Sequence, residues 1–398
     1  MKIAFVTPRY GPQVFGGAEA AARALAERLA AGLGWSVEAY TSCALDHLTW
    51  HDAFAPGDSV LNGVSLHRFS VAQPRSQEFF KLDQRLRAAP RYASGKDAER
   101  WVELNGPVVP DLVAAVRESD ADVVACYPYL YWPTVAVVGH VPMPTVLHPA
   151  AHDEPALYLS VFESVFLKSE ALCYHADAER RLVQRVYRVA DRPQIVLGLG
   201  VDDPTPAGRP GGEILGIGDR PYLMYLGRVD AHKGVVMLER FFRLYKERHP
   251  GPLALALVGS PAVDIAPHPD VVLTGPVDEA TKWDLLRDAE FYVHPSALES
   301  FSLAVMEAWT QGRAVVVNGR CEVTREHCVR SGGGLWFSSY PEFEVVLERL
   351  TADAALRDRL GERGRAYVEA HFRWPVLIER YGRFVTAVAE RGPLAPAI

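Results

Sequence analysis

The sequence of 398 residues has few cysteines and no long apolar run. Its five cysteines are odd in number and none belongs to a Cys-x-x-Cys pair, which argues against a disulfide framework or a zinc site and favours reduced thiols in a cytoplasmic protein. No apolar stretch approaches the length that crosses a bilayer. The net charge of −7 leaves no basic excess, so nucleic acid is not an expected partner.

The sequence does contain a regular alternation of short apolar runs with helical patterns. The runs predicted as strands are KIAFVTP, VEAYTS, VSLHRFS, ADVVACYP and PTVLHP, followed by PYLMYLGR, LALALVGS, DVVLTGPV, EFYVHPS and AVVVNG. The segments predicted as helices include AEAAARALAERLAA, closed by Gly32, then VVMLERFFRLYKERHP, DEATKWDLLRDA and SLAVMEAWTQG. Such alternation predicts parallel sheets with helices on both faces.

Two such series predict two doubly wound α/β domains. We expect the first domain at residues 1–193, joined by the C-terminal helical segment 373–398, and the second at residues 194–372. In open α/β sheets, ligands bind outside the carboxyl ends of the strands. The crevice between the two domains is therefore the expected ligand site.

Glycines and cations stand where a phosphate-bearing ligand could approach. Gly16 and Gly17 lie between the first strand and the first helix, where a bare backbone permits close approach and helical N–H groups face an anion; a flexible turn is the alternative. Arg228 and Lys233 follow a predicted strand, each beside a glycine. A guanidinium fork and an ammonium point charge suit a diphosphate, whereas two solvated loop charges are the alternative.

The stretch ESFSLAVMEAWTQG places Glu299 just before a predicted helix and Glu307 inside it. Ser300 or Ser302 can cap this helix, and its N-terminus is an anion site. Carboxylates on both sides of a phosphate site suit a nucleotide sugar, which has hydroxyls at both ends. The alternative is a first-turn acid favoured by the helix dipole and a surface glutamate. This alternative is strong for Glu299 alone and weaker for Glu307, because the neighbours of Glu307 are mostly apolar.

Two histidines follow the predicted strand PTVLHP. His148 and His152 lie there with two acidic residues, Asp153 and Glu154, and could act on a substrate hydroxyl. Their spacing fits no familiar zinc pattern. A histidine satisfied within a loop is the alternative for each.

Taken in order, these stretches resemble glycosyltransferase family 4, retaining enzymes of the GT-B fold. GGAE is similar to the N-terminal glycine loop of that family, GLGVD to its P-x-G-V-D segment, and GRVDAHKG to its G-R-x-x-x-x-K-G segment. LALVGS and LTGPV are similar to two further segments, and ESFSLAVMEAWTQGRAVVV to its E-x7-E signature. The chain departs from the family at Gly198 and Arg313, where proline is usual, and at Ser302, where glycine is usual.

The resemblance implies a role for each matching residue. Catalytic roles fall on His152, Arg228, Lys233 and Glu299. The implied donor-binding set is Gly16, Gly17, Arg228, Lys233, Val277, Glu299, Ser300, Phe301, Ser302, Leu303 and Glu307. Within it, the two cations hold the diphosphate, Glu307 the ribose and Glu299 the transferred sugar. The backbone at Ser302 and Leu303 meets phosphate, and the residues around Val277 meet the base.

The expected activity is transfer of a sugar, with retention, from a UDP- or GDP-linked donor to an acceptor hydroxyl, without a metal or other cofactor. The acceptor could be a carbohydrate, a lipid-linked molecule or a small molecule. A sugar-nucleotide epimerase of the same architecture and a non-catalytic nucleotide-sugar sensor are the competing hypotheses.

The segment 75–91 raises the question of a weak peripheral contact with the inner face of a membrane. Phe79, Leu82 and Leu86 can share one face of a helix beside several basic residues. An amphipathic helix packed on its own domain is the favoured interpretation.

Overall fold

The computed structural model describes residues 1–14 and 17–392. The chain divides into two compact units, residues 1–200 with the C-terminal segment from Trp374, and Val201–Arg373. The predicted limits, 193/194 and 372/373, need a correction. The segment Gln194–Val196 forms a strand that pairs with Ala171–Tyr174 in the first sheet, so the first unit extends to Gly200.

The strands alternate with helices along both units. The strands are β1 (Lys2–Val6), β2 (Ser36–Ser42), β3 (Gly57–Leu61), β4 (Val64–Phe69), β5 (Val123–Cys126), β6 (Thr145–Leu147), β7 (Ala171–Tyr174), β8 (Gln194–Val196), β9 (Tyr222–Leu226), β10 (Ala254–Val258), β11 (Val271–Gly275), β12 (Phe291–His294), β13 (Ala314–Asn318) and β14 (Gly334–Phe337).

The helices connect most successive parallel strands. They are α1 (Gly17–Leu33), α2 (Gln77–Arg87), α3 (Gly95–Asn105), α4 (Pro110–Glu118), α5 (Trp132–Val137), α6 (Val161–Lys168), α7 (Asp177–Val186), α8 (Gly211–Leu215), α9 (Val235–Arg248), α10 (Glu279–Asp288), α11 (Leu303–Thr310), α12 (Glu322–Ser331), α13 (Tyr340–Ala352), α14 (Ala354–His371) and α15 (Trp374–Arg391).

The first unit contains a sheet in the order β3-β4-β2-β1-β5-β6-β7-β8, which counts eight strands within the described residues. Every neighbouring pair is parallel except β3 and β4, which form a hairpin at one edge. Its central strands β5, β6 and β7 are buried throughout, as expected for a parallel sheet covered on both faces. The chain reverses direction across the sheet between β1 and β5.

The second unit contains a parallel sheet in the order β11-β10-β9-β12-β13-β14, six strands among the described residues. Counted from β9, this is the strand order of a dinucleotide-binding Rossmann sheet. The change of direction falls between β9 and β12. The predicted α/β architecture of two doubly wound sheets is confirmed.

The C-terminal helix α15 belongs to the first unit, as predicted, and packs against α1. Glycine permits this close approach, because a Cβ atom on Gly32 would lie 2.4 Å from Cδ1 of Ile378 on α15. Gly32 does not end α1. The helix continues to Leu33, and the residue after it, Gly34, has a φ of +63°. The prediction that Gly32 closes this helix is wrong.

The amphipathic segment forms α2, which buries Phe79, Leu82 and Leu86 within the first unit. Two of its basic side chains form ion pairs. Arg85 lies 2.8 Å from Asp97, and Arg87 lies 2.6 Å from Asp83. The apolar face that suggested a membrane contact is thus packed inside its own unit.

Candidate active site

The polar residues singled out in the second half of the sequence meet at the change of strand direction in the second sheet. The loop 227–234 follows β9, and the loop 295–302 follows β12, its neighbour. Because parallel strands end at the same edge of a sheet, the two loops lie side by side at the place where such sheets bind ligands.

A buried carboxylate, Asp230, organises the loop after β9. It accepts the backbone N–H of Lys233 at 2.7 Å and pairs with the guanidinium of Arg228. Burial would raise the pKa of Asp230, but these two partners outweigh it and lower the pKa. The hydroxyl of Tyr225 donates to the carbonyl oxygen of Arg228 at 2.8 Å. The buried Asp230 and Tyr225 therefore hold the loop in place, while 61% of the Arg228 side chain is exposed.

Lys233 and Glu299 form an ion pair across the two loops. Nζ of Lys233 lies 2.7 Å from Oε1 of Glu299, whose side chain is only 12% exposed. Nε2 of His294 lies 3.0 Å from the same oxygen. Burial alone would raise the pKa of Glu299, but His294 and Lys233 outweigh it and lower the pKa to about 2. Glu299 is therefore a carboxylate at any physiological pH.

His294 is a site residue that the sequence reasoning missed. It ends β12, is buried, and has its Nδ1 atom 3.0 Å from the hydroxyl of Tyr292. That hydroxyl lies 3.3 Å from the carbonyl oxygen of Leu226 at the end of β9. A signal was present in EFYVHPS, because Tyr292 and His294 stand two positions apart in an apolar strand and so share a face.

The helix α11 begins at Leu303, at the end of the loop 295–302 that follows β12. Ser302 precedes it with φ of +75° and ψ of +80°, a left-handed conformation that favours glycine. The prediction that the hydroxyl of Ser302 caps the helix is wrong. Among the described residues, that hydroxyl contacts the imidazole of His294, with its Oγ 3.4 Å from Nε2.

Glu307 lies one helical turn inside α11 and is paired with a lysine that was also missed. Nζ of Lys282, on α10, lies 2.7 Å from Oε1 of Glu307 and 2.6 Å from Oε2 of Glu279. The side chain of Glu307 is 18% exposed, so it is not a surface glutamate. The sequence hint was the lysine inside the helix DEATKWDLLRDA, three positions after an acid.

The remaining predicted residues of this unit fall into two groups. Ser300, Leu303 and Val277 are at least partly exposed; the first two flank Ser302, and Val277 lies between β11 and α10. Phe301 is fully buried, with its ring centroid 5.1 Å from that of His327 and 5.0 Å from that of Phe372. Its side chain therefore anchors the loop to the core.

In the first unit, the two candidate histidines differ in their exposure. His148 is fully buried, has Nε2 2.9 Å from the hydroxyl of Tyr381 on α15, and stacks on Tyr127 at 3.9 Å between centroids. Burial holds its pKa well below the ordinary value. His152 is partly exposed in the loop after β6, so it is the histidine of the pair that a substrate could reach.

The glycine loop is only partly within the described residues. Gly17 is the first residue of α1, as expected for a strand-to-helix turn. Gly16 lies outside the described residues.

Two observations bear on a metal. Across residues 1–14 and 17–392, no group of histidine, cysteine, aspartate and glutamate side chains is arranged to hold a metal ion. The sequence contains an Asp-x-Asp triplet at Asp120-Ala121-Asp122. Asp120 pairs with the side chain of Lys2, and Asp122 accepts the backbone N–H of Lys2 at 2.7 Å. The triplet precedes β5 and so lies at the amino edge of its sheet, opposite the edge where ligands bind.

Comparison with known proteins supports the resemblance at the level of the class. Residues 220–352 match the family model described as "Glycosyl transferases group 1". A trehalose synthase from Rubrobacter xylanophilus is 27% identical over 179 residues, which cover 40% of this chain and 42% of that protein.

Solved structures of similar fold extend over nearly the whole chain. A sucrose-phosphate synthase from Thermosynechococcus elongatus has a TM-score of 0.73 and 17% identity, covering 98% of this chain and 99% of that one. A UDP-forming α,α-trehalose-phosphate synthase from Burkholderia vietnamiensis has a TM-score of 0.71 and 14% identity, covering 97% and 100%. Anabaena HepE in complex with UDP-glucose has a TM-score of 0.68 and 14% identity, covering 97% and 100%.

The fold is therefore the GT-B fold, and the family match in the second unit indicates a glycosyltransferase. None of the helices in the described residues is both long and apolar enough to cross a membrane.

Proposed function

We propose that this protein is a retaining glycosyltransferase that moves a sugar from a UDP-linked donor to an acceptor hydroxyl without a metal. The observation that carries the proposal is the cluster of Arg228, Lys233, His294 and Glu299 at the switch point of the second sheet, beside the start of α11. Cations, a buried carboxylate and a helix N-terminus at one sheet edge suit a sugar diphosphate.

Each end of the donor has a matching group in the second unit. Arg228 and Lys233 bind the diphosphate, assisted by backbone N–H groups at Ser302 and Leu303. Glu307 accepts hydrogen bonds from the ribose hydroxyls, and the segment around Val277 contacts the base. Glu299 accepts a hydrogen bond from the transferred sugar. These roles follow the family resemblance, and the observed exposure of Arg228 and burial of Glu299 are compatible with them.

The chemistry we propose is a front-side displacement. The bond between the anomeric carbon and the diphosphate oxygen breaks while the acceptor oxygen bonds to the same face of the sugar. The acceptor proton passes to the departing phosphate oxygen, so that the products are a glycoside and the nucleoside diphosphate. Arg228 and Lys233 stabilise the negative charge that grows on the leaving group, the usual place for electrostatic catalysis. The family resemblance implies that His152 is the histidine that acts near the reacting sugar.

UDP is the favoured nucleotide because similar folds occur in a protein bound to UDP-glucose and in a UDP-forming synthase. A carbohydrate is the favoured acceptor, since the related proteins named above make trehalose, trehalose phosphate or sucrose phosphate. The buried thiols of the five cysteines fit the reducing cytoplasm that we propose as the location.

The test is a panel of UDP- and GDP-sugars incubated with and without carbohydrate acceptors, with nucleotide release as the readout. A transferase releases the nucleotide faster when the acceptor is present, and the anomeric configuration of its product, read by NMR, reports retention. Sugar isomerisation in the absence of an acceptor would instead identify an epimerase. Donor binding without turnover of any sugar would identify a sensor. Lys233→Met serves as the inactive control.

A further inference from the structure

His294 is placed to control the carboxylate of Glu299. Its imidazole is 5% exposed and lies 3.0 Å from Oε1 of Glu299 and 3.0 Å from the hydroxyl of Tyr292, with Oγ of Ser302 farther away, 3.4 Å from Nε2. Both Lys233 and His294 contact the same oxygen, Oε1. The second oxygen, Oε2, is therefore the one that remains for a ligand.

In the hydrogen bond between His294 and Glu299, the histidine is the donor. Glu299 has a pKa of about 2 and cannot donate, so Nε2 must carry the hydrogen. The hydroxyl of Tyr292 then completes the chain in one of two ways. It donates to Nδ1 of a neutral imidazole, or it accepts from an imidazolium and donates to the carbonyl oxygen of Leu226, 3.3 Å away. In both arrangements Nε2 donates to Glu299.

The same histidine links the loops that hold the two ends of the ion pair. Its ring contacts the rings of Tyr225 and Tyr292, with centroids 6.3 Å and 6.0 Å away and interplanar angles of 28° and 25°. Tyr225 in turn fixes the loop after β9 through the carbonyl oxygen of Arg228. The imidazole is thus held rigidly, and a rigid donor can hold a carboxylate in one orientation.

We propose that His294 is a positioning residue, which holds Oε1 of Glu299 so that Oε2 accepts a hydroxyl of the transferred sugar. This inference rests on the proposed function. It predicts that His294 contributes to recognition of the sugar and not to recognition of the bare nucleotide. Its short contact with a group assigned to the donor is with Glu299, at 3.0 Å, whereas its longer contact, 3.4 Å from Nε2 to Oγ of Ser302, involves the serine side chain and not the backbone proposed to meet phosphate.

Two substitutions separate positioning from simple packing. In His294→Gln, the amide nitrogen stands near the place of Nε2 and can still donate to Glu299. In His294→Asn, the shorter amide stands near the place of Nδ1 and cannot reach Glu299. We expect His294→Asn to lower kcat/KM for UDP-glucose by about tenfold to a hundredfold, the range of a lost hydrogen bond to a charged group. We expect His294→Gln to recover most of this loss.

Calorimetry with UDP supplies the second readout, and the proposal requires equal affinity in the wild-type protein and both variants. Equal losses of kcat/KM in the two variants would overturn the proposal, as would a loss of UDP affinity as large as the loss of kcat/KM.

Tyr292→Phe supports the test if His294→Asn does not fold, because it removes one hydroxyl and leaves the ring. We expect a smaller loss of kcat/KM with unchanged UDP affinity, and an unchanged kcat/KM would count against the proposal. Failure of the proposed function would look different, because the wild-type protein would then neither bind UDP nor turn over a UDP-sugar.

Discussion

Lys282 on α10 and Glu307 on α11 form a largely buried ion pair, with Nζ 2.7 Å from Oε1. Burial lowers the pKa of Lys282, but the carboxylates of Glu307 and Glu279 outweigh it and raise the pKa overall. Burial raises the pKa of Glu307, and Lys282 opposes that rise, while the more distant Glu279 and Asp202 add to it. The lysine therefore favours the ionised carboxylate, which is the form that accepts hydrogen bonds from the ribose hydroxyls in the function proposed above.

Replacing Lys282 with methionine should make nucleotide affinity depend on pH. Without the ammonium, the pKa of Glu307 rises further, so the carboxylate takes up a proton as the pH falls. We expect the UDP affinity of Lys282→Met to fall as the pH is lowered, by at most about tenfold per pH unit, because one proton is taken up. The UDP affinity of the wild-type protein should fall less over the same pH series.

Calorimetry with UDP across a pH series measures this effect, with Lys282→Arg as the control that keeps a cation. If Lys282→Met and the wild-type protein show parallel pH profiles, Lys282 does not control the charge of Glu307.

Substitutions of the two glutamates of the site should affect nucleotide affinity and kcat/KM differently. Glu307→Ala should weaken UDP and the full donor alike, by about 1.5–3 kcal/mol for charged hydrogen bonds to a diol, or roughly tenfold to a hundredfold. Glu299→Gln should leave UDP affinity nearly unchanged and lower kcat/KM, because the bare nucleotide lacks the sugar that we propose Glu299 contacts. Calorimetry with UDP beside steady-state kinetics tests both. Equal losses of UDP affinity in the two variants would contradict this division of roles.

The fold could be predicted from the sequence because it depends on local patterns. Each strand predicted from an apolar run is present, since buried parallel strands such as AVVVN are continuously apolar. Four strands were missed. Two of them, ALCY and GLWF, are four-residue apolar runs that were overlooked, and the other two lack the apolar pattern. The edge strand GDSVL is almost wholly exposed, and QIV is only three residues long and partly exposed.

Only part of the candidate site could be predicted from the sequence, because the residues that pair within it are distant along the chain. Glu299 and Glu307 stand in one recognisable motif, but Lys282 and Lys233 reach them from other elements, 25 and 66 positions away. No spacing rule connects such residues until the strand order is known. The difference between His148 and His152 also depends on the fold, since Tyr381 at the far end of the chain is the partner of His148.

Transfer activity should survive a chelator. In the proposed mechanism, Arg228 and Lys233 supply the positive charge at the diphosphate. The Asp-x-Asp triplet stands at the amino edge of its sheet, opposite the edge where ligands bind. We expect unchanged nucleotide release from UDP-glucose after treatment with excess EDTA. A loss of activity that manganese or magnesium restores would contradict this prediction.

The two histidines after β6 should respond differently to the same substitution. His148→Ala removes a fully buried ring and leaves the hydroxyl of Tyr381 without its partner, so we expect a loss of about 2–4 kcal/mol in the free energy of unfolding. His152→Ala should leave the melting temperature nearly unchanged and lower kcat by about tenfold to a hundredfold. Thermal unfolding and steady-state kinetics on both variants check this. An unimpaired His152→Ala would remove that residue from the proposed mechanism.

Ser302 offers a test of backbone strain at the start of α11. A side chain at φ of +75° costs about 1–2 kcal/mol relative to glycine, whereas glycine costs about 0.5–1 kcal/mol in the unfolded chain. We therefore expect Ser302→Gly to raise the free energy of unfolding by up to about 1 kcal/mol. UDP affinity should be kept or improved, because less side chain crowds the backbone that we propose binds phosphate. Ser300→Gly is the matched control, since Ser300 stands two positions earlier in the same loop and is not among the positive-φ residues of the described chain. There the same change should lower stability by about 0.5–1 kcal/mol.

Denaturant unfolding of the wild-type protein and the two variants measures the difference. If Ser302→Gly destabilises the protein as much as Ser300→Gly does, the left-handed backbone at Ser302 carries no strain.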